Sequence, residues 1–323
     1  DQQLSEEGPH RVMVCAYRRF LDDLLAKKHA IANSLVKSID PNHFTSFRMS
    51  VAGDPTVGGA WIAYDFRGLA RSVDIMEPEG YGRIGEWDRV RPGMFTADYS
   101  RCMAPGKPVM WAEFGNSTWN RDLMEPDPKA EEWAGGFYDR FFRMALDSGA
   151  NGAINWYYPG GYRVNERSDY GIINPDGSWK PVSHSIRNWT EAMTAPRGLP
   201  PVDEWILVDR DESVKGLAGV YEAAQERYWQ LREAGKRPAL RTAGHGMTSD
   251  TAPRVAVGNV PYSPGRTPHK YLNAEFDRIE IRNAAGEWQE ILDGAEVHVK
   301  RGDPVLVRAT IGNNGDASWI ARE

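Results

Sequence analysis

The chain has 323 residues, with Lys plus Arg 39 against Asp plus Glu 45 and a net charge of −6. No basic block follows a phosphate backbone, so nucleic acid is not an expected partner, and no run of about 18 apolar residues offers a membrane span. Two cysteines, Cys15 and Cys102, are too few for a disulfide framework, and no Cys/His spacing suggests a metal site, so no cofactor or metal is expected.

The first predicted element is a long amphipathic helix over residues 11 to 38, with apolar positions at Val12, Val14, Phe20, Leu21, Leu24, Leu25, Ile31, Leu35 and Val36. It stops at Asp40-Pro-Asn-His, where His43 reads as a turn residue. "FTSFRMSVAG" (44 to 53) alternates as a short strand, and "GLARSVDIM" (68 to 76) offers a second. "KPVMWAEFG" contains an almost continuous apolar run, the pattern of a strand covered on both faces, and it closes on Glu113. A helix across 129 to 148, a strand "GAINWYY" (152 to 158) and a helix near 181 to 193 follow.

Short apolar strands alternating with helices predict βα units and a parallel sheet, an α/β fold. The loops after these strands, "EPEGYGRIGEW", "GNSTWNRD" and "PGGYRVNERSDYG", are rich in polar and aromatic residues. In such folds ligands bind at the carboxyl ends of the strands, so Glu113 is expected on that rim. Loop aromatics (Trp119, Tyr157, Tyr158, Tyr162 and Tyr170) suit stacking on flat ligand faces, sugar rings among them. Residues 196 to 268 are expected to be a connector carrying one amphipathic helix around 216 to 234. "FDRIEIR", "AEVHVKRG" and "PVLVRATIGNNG" read as strands of a partial β-sandwich over 269 to 323.

In this order, residues 1 to 195 resemble the second half of a clan A glycoside hydrolase, the retaining β-glycosidases that include cellulases, mannanases and β-galactosidases. The resemblance implies the second half of a TIM (β/α)8 barrel. "KPVMWAEFG" is similar to the seventh strand, whose nucleophile falls on Glu113, and "GAINWYYPGG" to the eighth, whose sugar-floor Trp falls on Trp156. "SVDIMEPEGYG" is similar to the sixth, where Tyr81 takes the place of the nucleophile's hydrogen-bond partner; the usual His is absent, with Glu79 near its place. "SIDPNHFTSFRM" resembles the run into the fifth strand and brings Arg48, and "SDYGIINPDGSWKP" resembles the stretch after the eighth. The family's acid/base Glu follows an Asn at the end of strand four. No Asn-Glu pair precedes the first helix, and Asn165-Glu166 lies after the eighth strand. The resemblance therefore implies a fragment that begins after strand four and lacks its acid/base residue.

A retaining glycosidase needs two carboxyl groups roughly 5 to 5.5 Å apart, one attacking the anomeric carbon and one donating to the leaving oxygen. Glu113 suits the first role, with Tyr81 or Arg48 as donors beside it, while Trp156, Trp119, Arg48, Glu79 and Glu166 are candidates to touch a carbohydrate substrate. Each has a plainer reading. Glu113 is then a structural carboxylate, Trp156 and Trp111 are core, Glu77, Glu79 and Glu86 are a solvated acidic rim, and Arg163, Glu166 and Asp169 form a loop network. A non-catalytic carbohydrate-binding protein, or a cell-surface structural protein on the same scaffold, is the alternative to an enzyme. Open sheet edges in half a barrel imply self-association. The sugar, its linkage and the localisation are not legible.

Overall fold

A computed structural model of the chain describes residues 7–8, 11–48, 53–56, 66–196, 198–242, 274–283, 285–291, 297–298 and 304–313. The chain divides into two units, Asp1–Ala252 and Pro253–Glu323. In the first, helix α1 (Arg11–Ile39) leads into strand β1 (Ser46–Arg48), helix α2 (Phe66–Ala70) and strand β2 (Ile75–Glu77). Short α3 (Trp87–Val90), then α4 (Gly93–Met103), precede β3 (Met110–Phe114) and a small antiparallel ribbon of β4 (Trp119–Asn120) and β5 (Glu125–Pro126). Helix α5 (Pro128–Asp147), strand β6 (Gly152–Asn155) and helix α6 (Pro181–Thr194) follow. The unit ends with β7 (Glu204–Val208), α7 (Leu217–Glu233) and β8 (Pro238–Thr242).

β1 pairs in parallel with β2, placing Arg48 opposite Glu77, and parallel bridges at Met76–Val109 and Glu79–Glu113 carry the pairing on to β3. β3 pairs in parallel with β6. The strand order is thus β1-β2-β3-β6, all parallel, and among the described residues these strands do not close on themselves. The α/β class agrees with the alternation in the sequence.

The layer against β3 is aromatic. Phe114 stacks on Phe141 of α5 with centroids 4.1 Å apart, and Trp111, fully buried, meets the same ring edge-on at 5.5 Å. Burying a side chain of this size stabilises by about 1.5–3 kcal/mol. α5 forms where it does because Asp127 caps it, its Oδ1 accepting from the N–H groups of Lys129 (3.0 Å) and Ala130 (3.2 Å), with Pro128 in the first turn. It stops at Ser148, and Gly149 takes the left-handed φ of +65° beyond it.

Three expectations change, and one element was not expected. The stretch 68 to 76 is not one strand, since its first part belongs to α2 and only Ile75 onward extends. α1 has the expected span, yet Phe20, Ile31, Leu35 and Val36 are exposed. The buried face of α1 carries Val14, Cys15, Arg18, Arg19 and Asp22, because the 209–213 loop supplies charge partners: Arg19 pairs with Asp211, and Arg210 with Asp22 at 2.5 Å. Residues 204–242 are more than a connector with a helix, for β7 and β8 pair in parallel across α7, and Tyr228 of α7 donates to Asp98 of α4 at 2.7 Å. α4, unassigned from the sequence, is buried along almost its whole length.

In the second unit, β9 (Ala274–Arg282), β10 (Trp288–Glu290) and β11 (Val307–Asn313) form one antiparallel sheet in the order β10-β9-β11. Among the described residues no second sheet faces it. The passage 244 to 268 lies outside the described residues, as does most of "AEVHVKRG".

Candidate active site

Glu113 stands one residue before the end of β3 and is buried. The pairing of β3 with β6 shifts register between Trp111 and Phe114. A bulge of this kind re-aims a side chain: Trp111 and Phe114 both pack on Phe141, while Glu113, between them, meets polar partners. Tyr81 donates its hydroxyl to Glu113 Oε1 at 2.6 Å, and Arg48 Nη1 ion-pairs with Oε2. The same guanidinium reaches Glu79 through Nε at 2.8 Å, so one cation serves two carboxylates on neighbouring strand ends.

The turn holding this group is set by backbone. Gly80 N–H donates to the Glu113 carbonyl at 2.7 Å, and Ala112 N–H to Pro78 at 3.0 Å. A Cβ on Gly80 would come within 2.6 Å of the Phe141 ring and 2.9 Å of Phe114, so glycine lets the chain pass from Glu79 to Tyr81 over the aromatic layer. Glu79 is 3% exposed, which removes it from the solvated rim expected of it. Glu77 accepts from Ser46 Oγ at 2.6 Å, and Glu86 is exposed and accepts from Trp133 Nε1 and Arg140.

Trp156 directly follows β6, its N–H donating to the Phe114 carbonyl at 2.8 Å, which brings it to the same end of the sheet as Glu113. It is neither fully buried nor exposed. Arg163 lies over its ring at 5.0 Å, its Nε1 donates to Glu166 at 3.4 Å, and Arg163 pairs with Glu166 at 3.1 Å. Tyr170 meets Tyr81 edge-on at 6.2 Å. Trp119 instead meets Tyr162 in a tilted contact at 4.7 Å, and no hydrogen bond or ring contact joins it to Glu113, Tyr81 or Arg48 among the described residues. Asp169 is not in the Arg163–Glu166 pair; it takes the buried Lys180 ammonium at 2.7 Å, and its carbonyl accepts from Thr118 N–H at 2.8 Å. Lys180 also donates to Thr118 Oγ1 at 3.5 Å and so helps tie the loop after β6 to the loop after β3, a role with no signal in the sequence beyond a Lys before a helix-starting Pro. His43 sits in the expected turn with Asp40.

The charge of Glu79 first, and that of Glu113 after it, raises the Arg48 guanidinium above its usual value. Burial first, then the hydrogen bond to Glu113 and its charge, lifts the Tyr81 phenol far above the usual range, so Tyr81 is a neutral donor. Burial likewise raises Tyr138 and Tyr228. A phenol raised by folding contributes stability that is complete below the unfolded value of about 10 and is lost as pH climbs toward the folded value. Alkaline titration is therefore expected to show phenolate absorbance in two stages, exposed tyrosines first and Tyr81, Tyr138 and Tyr228 only with unfolding. Titration of all 13 tyrosines in one stage with the fold intact would contradict this.

No protein-family model and no curated protein sequence matches the chain. Solved structures do. A GH5_18 protein from Bifidobacterium longum subsp. infantis aligns at 18% identity and TM-score 0.41 over 56% of this chain and 46% of its own. A GH5_18 protein from Streptomyces cattleya in complex with GlcNAc aligns at 18% and 0.41 over 58% and 49%. A polyextremophilic β-galactosidase from the Antarctic haloarchaeon Halorubrum lacusprofundi aligns at 18% and 0.49 over 73% and 37%. The chain spans about half the length of the first two, 46% and 49%. These neighbours are glycoside hydrolases, and it is glycoside hydrolases that this chain resembles.

Proposed function

We propose that this chain carries the nucleophile half of a retaining β-glycosidase that hydrolyses O-glycosidic bonds of oligo- or polysaccharide by double displacement. The observation that carries this is the Glu113 carboxylate at a strand end, gripped by Tyr81 Oη at 2.6 Å and by Arg48, with Trp156 at the adjoining strand end. β1, β2, β3 and β6 are strands five to eight of a (β/α)8 barrel, and the three-stranded sheet is part of a β-sandwich. Glu113 attacks the anomeric carbon as the bond to the leaving-group oxygen breaks and the aglycone departs as an alcohol, its proton coming from an acid; water then cleaves the resulting glycosyl ester, releasing the sugar and restoring the carboxylate. Tyr81 and Arg48 fix the attacking oxygen in place before substrate arrives, and Trp156 floors the sugar. In this reading Arg48 and Glu166 meet sugar hydroxyls, Glu79, buried behind Arg48, acts on them through that guanidinium, and Trp119 extends the stacking surface.

Glu79 is buried and ion-paired with Arg48, and Glu166 is held by Arg163 and Trp156. The leaving-group acid is thus assigned to none of the described residues. That observation favours one second reading, a carbohydrate-binding protein on the same scaffold. A 2-deoxy-2-fluoro-β-glycoside with a dinitrophenolate leaving group, which departs without a proton, separates the two. Tried as glucoside, mannoside and galactoside, one is expected to label Glu113, found by peptide mass. No label, or a label elsewhere, rejects the nucleophile.

Trp156→Ala is expected to weaken a neutral oligosaccharide about tenfold or more, since a stacked ring contributes about 0.5–1.5 kcal/mol beyond its area. Melting curves run beside the binding curves check the alternative. A lowered Tm with unchanged affinity per folded molecule places Trp156 in the core.

A further inference from the structure

A cavity of about 570 Å³ opens in the first unit where residues preceding β2 and β3 meet β7 and β8, at the opposite end of the strands from Glu113. Its volume lies in the range of small-molecule sites. Among the described residues, six basic side chains line it against a single acid, Asp98, in a chain whose net charge is −6. Four of the six have structural partners: Lys107 donates to Ala70 O at 2.6 Å, Arg71 pairs with Asp23 at 2.6 Å, Arg101 with Asp98 at 3.0 Å, and Arg237 donates to Pro200 O. Asp98 is further shared with Arg232 at 3.0 Å and Tyr228, so it does little to neutralise the rest. Arg67 and Arg241 line the cavity from different elements and make no ion pair among the described residues.

The walls between these charges are apolar. Leu240 and Met103 are buried there, and Trp205 is 53% exposed. The register of β7 on β8 pairs Trp205 with Ala239 and Leu207 with Arg241, which puts the indole and the Arg241 guanidinium on one face of the strand pair. Like charges crowded around a cavity repel unless an anion occupies it. A guanidinium takes a carboxylate or phosphate in a forked pair, and an indole takes a flat apolar face.

We propose that this cavity binds a small anionic, ring-bearing ligand, its carboxylate or phosphate held by Arg67 and Arg241 and its ring laid on Trp205. A sugar acid and a nucleoside monophosphate share this chemistry. Titration calorimetry of the whole chain with digalacturonate, with adenosine monophosphate and with neutral cellobiose distinguishes them. One of the two anions is expected to bind at one site per chain. Its affinity should fall at least about tenfold in Arg67→Glu and in Arg241→Glu, as befits a lost charge-assisted pair, with unchanged circular dichroism. Glu113→Gln should leave it unaltered, which keeps this cavity's fate separate from that of the proposed glycosidase site. The proposal is overturned if neither anion binds, if cellobiose displaces the anion, or if both Arg variants bind as well as the parent chain.

Discussion

Glu113→Gln is expected to abolish glycosyl transfer from a dinitrophenyl β-glycoside, with a loss on the order of 10⁴ or more, because the amide keeps the shape of the side chain but cannot form the ester. The activated leaving group matters. It removes the need for a proton donor, which the described residues do not supply, so the measurement reads the nucleophile alone. Binding of a neutral oligosaccharide should survive, since Gln still accepts from Tyr81, as Glu113 Oε1 does at 2.6 Å, and still fills the strand-end position. A structural carboxylate behaves in the opposite way. Its loss would leave the Tyr81 and Arg48 donors facing an amide, lower the Tm and affect rate only through the folded fraction. A rate loss of only a few-fold, or one that tracks the melting curve, would return Glu113 to the role of a structural anchor.

The site was legible where one residue type has few structural uses. A carboxylate closing the apolar run Pro108-Val-Met-Trp-Ala needs a reason, and β3 with Glu113 near its end was read from that alone. α5 was legible because its caps are local, with Asp127 and Pro128 at one end and Ser148-Gly149 at the other. What was not legible depends on partners distant in sequence. Glu79 reads as rim because two other acids flank it, yet it is buried and held by the half-exposed Arg48, thirty-one positions earlier. The register shift in β3 has no residue signature, and strand alternation alone could not say whether Trp111 faces the helices. α4 was missed because it is buried nearly all round, which erases the polar stripe that marks a surface helix. The charged face of α1 is buried only because Arg210 and Asp211 come to it from some 190 residues away.

The same strands carry an expectation for the chain in solution. Among the described residues β1 is paired only with β2, and β6 only with β3, so the sheet has two open edges. An open edge presents a row of unpaired N–H and C=O groups, a template for another strand, unless charge, proline or a covering helix blocks it. β6 has little such protection on its exposed side: Ile154 is 51% exposed. Around β1 the surface is apolar as well, with Phe44 at 73% and Leu35 and Ile39 of α1 at 64% and 80%. We therefore expect the 323-residue chain to self-associate, giving a light-scattering mass above 36.3 kDa that rises with concentration. Ile154→Lys should move the population toward the monomer, because a lysine on an edge strand costs desolvation in any strand-to-strand contact while leaving the folded monomer almost untouched. A monodisperse species at the monomer mass across the concentration range would show that these edges are protected, and self-association through β1 and β6 would fall with it.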